Sequence, residues 1–71
     1  MSYMMLWFCG MDAPVADCVN RAAAFFEGKY GEKPTLCLLP KNEPDIPGSI
    51  GSISCRSDDK VDTGHLMMGV G

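Results

Sequence analysis

Hydrophobic and polar positions alternate along this chain in blocks of different period. Tyr3 to Cys9 is an uninterrupted apolar run with aromatics, bounded by Gly10. Such a run, too short for a helix of ordinary length, predicts a strand buried on both faces. Side chains in a strand alternate, so Tyr3, Met5, Trp7 and Cys9 share one face and Met4, Leu6 and Phe8 the other.

The period then changes. Val15, Cys18, Val19, Ala22, Phe25 and Phe26 recur at helical spacing, with Asp17, Asn20, Arg21, Ala24 and Glu27 on the opposite side. An amphipathic helix is predicted from Ala13 to Tyr30. Asp12 is placed to cap its start and Pro14 falls in the first turn, where no backbone N–H is needed. Gly31 can take the left-handed conformation that ends a helix, and Pro34 prevents its resumption.

Thr35 to Leu39 is a second short apolar strand. Strand, crossover helix and strand predict a right-handed βαβ unit with parallel strands, provided that both strands share a sheet. Pro40 to Pro47 is a proline-rich polar loop. Ser49 to Arg56 alternates, with Ile53 and Cys55 on one side and Ser52, Ser54 and Arg56 on the other, as a half-exposed strand does. After the charged turn Ser57–Lys60, His65 to Val70 forms the last strand, with Leu66, Met68 and Val70 on one face. The predicted fold is one small α/β (α+β) domain over residues 1–71. Its order is β-α-β-β-β, with one helix packed on a mixed sheet of 3–4 strands and a C-terminal hairpin.

One helix covers one face of such a sheet, yet the first strand is apolar on both. The uncovered face therefore exposes either the Tyr3, Met5, Trp7 row or the Met4, Leu6, Phe8 row. Large exposed apolar patches mark interaction sites. The first row, with the loop acids Glu43, Asp45, Asp58 and Asp59, is the candidate partner-binding surface, facing another copy or a different protein. The acids offer negative charge that speeds encounter with a basic partner. Otherwise they are a solvated run that maintains solubility. They lack the spacing of a calcium loop.

Composition narrows the function classes. A net charge of −3 with six dispersed Lys and Arg residues disfavours direct nucleic-acid binding. No apolar stretch is long enough to span a bilayer, and the N-terminal run lacks a signal peptide's basic leader and cleavage site. The expectation is a soluble cytoplasmic protein with Cys9, Cys18, Cys37 and Cys55 as four buried thiols. The cysteines show no paired zinc spacing and there is a single histidine, so no metal or other cofactor is expected. The alternative is a small thiol-dependent enzyme or redox protein. Cys9, close to a helix N-terminus, would be its nucleophile and His65 its base, but nothing in the sequence brings the two together.

Phe26-Glu27-Gly28-Lys29-Tyr30-Gly31-Glu32-Lys33-Pro34 and Gly64-His65-Leu66-Met67-Met68-Gly69 form a combined pattern. An aromatic-x-x-Lys-Tyr-Gly-x-x-Pro segment is followed by Gly-His-Leu-x-x-Gly. It resembles that of small bacterial and phage proteins with no established activity. The resemblance implies a mobile-element context and no residue roles. With the small size and acidic balance, the expected function is non-enzymatic protein binding. The chain would be a phage-encoded, anti-CRISPR-like inhibitor or a homodimeric accessory protein.

Overall fold

A computed structural model describes residues 3–10, 14–44 and 46–71. Strand β1 is Tyr3–Phe8, helix α1 is Val15–Tyr30, and β2 is Leu36–Pro40. Strands β3 (Ser49–Ile50), β4 (Ile53–Asp58) and β5 (His65–Val70) follow. The sheet has five strands in the order β1-β5-β2-β4-β3. The fold is α+β, one helix on a mixed sheet, as the sequence predicts, with one strand more than the upper expectation.

The additional strand comes from Ser49–Arg56, which is not one strand but a tight hairpin. Gly51 sits at φ 59 in its loop, and Ile50 pairs with Ile53. A two-residue hairpin loop needs such a positive φ to match the twist of its strands.

The crossover also differs from a simple βαβ unit. β1 and β2 each pair antiparallel with β5, which lies between them. They therefore run in the same direction without touching, as in a split βαβ arrangement. The predicted C-terminal hairpin does not form. β4 pairs parallel with β2, in the register Cys37 to Cys55, and β2 separates β4 from β5. The split crossover and the missing hairpin both follow from the last strand inserting between β1 and β2. Its residues Leu66 and Met68 are fully buried there.

The helix lays Cys18, Val19, Ala22 and Phe26 on the sheet. Facing them are Met5, Cys37, Leu39, Ile53, Cys55, Leu66 and Met68. Phe25, predicted on the buried stripe, is half-exposed and leans its ring on Trp7, with centroids 5.1 Å apart. The stop is as predicted. Gly31 takes φ 76 and its N–H donates to the Glu27 carbonyl at 2.9 Å. Tyr30 stacks on Phe26 at 4.6 Å and Pro34 is buried. Those contacts give the first half of the Lys-Tyr-Gly pattern its physical sense. In the second half, Gly64 supplies a φ of 82 just before β5. The helix begins at Val15, with Pro14 at the cap position, and Asp12 lies outside the described residues.

Candidate functional site

Two features of the surface invite chemistry or binding. The first is the open face of the sheet. Alternation along β1 sends Met5 and Trp7 under the helix and leaves Leu6 and Phe8 64% and 67% exposed. The register sets Leu6 opposite Met67 and Phe8 opposite His65. Met67 in turn lies opposite Leu38 on β2. Half-buried Met4, Met67, Leu36 and Leu38 complete an uncharged apolar surface across β1, β5 and β2. Ser54 and Arg56 on β4 end it on the polar side.

The open row is thus Met4, Leu6 and Phe8. Met5 is 6% exposed and part of the core, and Trp7 is half-buried against Phe25, so neither is available to a partner as the sequence reading expected. The choice between rows depends on which side of the sheet the helix takes, which strand alternation alone does not contain. The side chain of Tyr3 lies outside the described part.

The second feature is a cleft of about 320 Å³ at the end of the sheet where β1, β2 and β4 terminate. Cys9, Val15, Cys18, Leu39, Glu43 and His65 are among its lining residues. Asn42 donates to the Thr63 hydroxyl at 2.9 Å and ties the two loops at its mouth. Parallel pairing of β2 with β4 brings the acidic loops to this same end. Glu43 is half-buried in the cleft wall, while Asp58, whose carboxylate accepts the Lys60 N–H at 2.8 Å, ends β4 and Asp59 follows it. Asp45 lies outside the described residues. The apolar row thus lies on the open face, and the described acids Glu43, Asp58 and Asp59 at the end of the sheet.

Cys9 and Cys18 form a disulfide, with Cα atoms 5.7 Å apart. This corrects the expectation of four thiols. The link joins the end of β1 to the start of α1, two segments that the βα connection returns to each other. Cys37 and Cys55 remain thiols, side by side in the core. Burial pushes the Cys37 thiol up to about 12, with Cys55 beside it adding to the rise.

The structure brings Cys9 and His65 to neighbouring strands, and the Cys9 N–H donates to the Gly64 carbonyl at 2.7 Å. It does not make them a nucleophile and base. Cys9 packs toward the core on the helix side. The His65 ring stacks on Phe8, on the open face, at 5.1 Å. Its Nδ1 lies 3.1 Å from the Thr63 carbonyl, an acceptor only, so Nδ1 carries the proton in that contact. Sequence reasoning missed the disulfide because the spacing of Cys9 and Cys18 matches no motif. The available signal was a strand end and a helix start that any short βα loop draws together.

Among the described residues, no group of three or more His, Cys, Asp or Glu side chains is arranged to hold a metal ion. No helix among them is long and apolar enough to cross a membrane. Compared with protein-family models, curated proteins and solved structures, the chain matches none.

Proposed function

We propose that this chain is a non-enzymatic protein-binding module of the cytoplasm, and that its open sheet face docks a second copy of itself. The observation that carries the reading is the exposure of Leu6 and Phe8 on a continuous uncharged face. Single exposed apolar residues are ordinary, whereas a contiguous patch marks an interface. Two such faces stack as two sheets do, about 10 Å apart, with a helix on each outer side. A twofold arrangement needs a surface that complements itself, and an apolar patch without charge meets that need. β1 is also an edge strand, apolar and without charge or proline, so its backbone is open to pairing.

Sedimentation across a concentration series tests this. The expected result is a monomer–dimer equilibrium that Leu6→Ser with Phe8→Ser shifts to monomer, the circular dichroism spectrum being unchanged. A wild-type chain that stays monomeric at every concentration overturns the self-association reading.

A further inference from the structure

We propose that the Cys9–Cys18 disulfide is an exchange site for thiols, a second activity separate from the open face. Cys9 and Cys18 both line the cleft at the sheet end, where it meets the edge of the core. Its two sulfurs are not equivalent. Cys18 is 4% exposed under the helix, while Cys9 is half-buried where β1 runs out into the cleft. An incoming thiol therefore meets Cys9 first.

The remaining cysteines sharpen the contrast. Cys37 and Cys55 are paired in register on adjacent strands and yet are thiols. The chain thus holds an oxidised pair at a cleft and a reduced pair in its core. In the cytoplasm, a location this inference takes from the function proposed above, a disulfide is usually transient, catalytic or redox-sensing. That rule fits the cleft pair and requires nothing of the core pair.

The step balances without a metal or cofactor. A thiolate RS⁻ attacks Cys9 Sγ and forms an RS–Sγ bond. The Cys9–Cys18 bond breaks, and its electron pair leaves on Cys18 Sγ as a thiolate. Cys18 lies in the opening turn of α1, whose positive end offsets part of the cost that burial imposes on a thiolate there. A second RS⁻ attacks the R sulfur of the mixed disulfide and releases RSSR and the Cys9 thiolate. Two thiols are oxidised to one disulfide as Cys9 and Cys18 are reduced. The chemical class recognised is a thiol, carried by a small peptide such as glutathione or by a protein dithiol. The cleft volume of about 320 Å³ lies at the lower end of ligand pockets and suits the smaller source.

The competing role for the bond is that of a staple. Closing so short a loop stabilises a small domain by roughly 3 kcal/mol in the chain-entropy model. The two roles differ in how reduction occurs. The full-length oxidised chain is incubated with reduced glutathione, or separately with a thioredoxin-type dithiol protein, with and without denaturant. Thiols are then alkylated and mapped by mass. Exchange at the cleft predicts native reduction at no less than about a tenth of the denatured rate, because an accessible sulfur needs no unfolding. In the native samples Cys37 and Cys55 are expected to stay unmodified. Reduction by glutathione assigns a small thiol as the partner, and reduction by the dithiol protein alone assigns a protein. Reduction that occurs only with global unfolding overturns the proposal.

Cys18→Ser, incubated with oxidised glutathione, supplies an independent reading. Its dominant adduct is expected on Cys9. Cys9→Ser acquiring as much adduct on Cys18 would also overturn the assignment. If the variants fail to fold, the wild-type rates decide.

Discussion

Trp7 and Phe8 are neighbours in one strand, both aromatic, and they have opposite fates. Trp7 turns under the helix and rests on Phe25; Phe8 is mostly exposed, with the His65 ring against it. The same holds for Leu66 and Met67 one strand away, the first fully buried and the second half-exposed. The two faces of this sheet are almost equally apolar across β1, β5 and β2, and only one has a helix. Hydrophobicity is therefore a poor guide to which residue stabilises the monomer. The side of the sheet is the better one.

Four measurements can break or sharpen that comparison. The largest effect is expected at Leu66, on the covered face of the inner strand β5. Leu66→Ala should destabilise the chain by about 3 kcal/mol, read from denaturant unfolding, because the site is closed on all sides. Trp7→Ala comes next, at roughly 2 kcal/mol, below the range for a fully buried aromatic because Trp7 is only half-buried.

The third concerns Cys37 and its alkaline titration. Its folded thiol is pushed up to about 12, while the unfolded thiol titrates near its ordinary value of 9.0. Between those values the unfolded chain has released a proton that the folded chain retains. Stability is fully present below the lower value and falls as pH rises toward the upper one, by up to roughly 1.4 kcal/mol per pH unit. Other groups titrate there too, so the readout is the difference from Cys37→Ala, whose slope should be flatter. Equal slopes would mean that the thiol is not protected by the covered face.

The smallest effect is expected at Phe8. Phe8→Ser should change monomer stability by no more than about 0.5 kcal/mol, as surface substitutions do. Its consequence belongs to association. A loss at Phe8 comparable with that at Trp7, under conditions where the chain is monomeric, would show that the open face is packed in the monomer.

The sequence made the helix legible almost to the residue. Its apolar spacing, its stop at Gly31 and the buried Pro34 are local matters, set by backbone conformation within a few residues. The apolar run of β1 and its two alternating rows were equally plain, as was the excess of apolar surface that one helix leaves uncovered. The row itself was misassigned, since Met5 and Trp7 are covered. Periodicity places residues on faces but does not say which face the helix crosses.

The cleft was less visible. Glu43 and His65 come from separate stretches of the chain, and only the sheet order brings them to the Cys9–Cys18 pair. The acidic loops meet because β2 and β4 run parallel, an arrangement that the expected C-terminal hairpin would not have produced.

The sequence by itself determined the helix and its stop, the first two strands and the last, and the presence of more apolar surface than one helix can cover. These are properties of neighbouring residues, set by dihedral preference and by periods of 3.6 and 2. Only the tertiary structure decided that β5 enters between β1 and β2, that Leu6 and Phe8 face outward, and that Cys9 meets Cys18. Each of those depends on contacts between residues distant in sequence or on how the helix packs. Their free energy is settled when the whole sheet closes on its one helix.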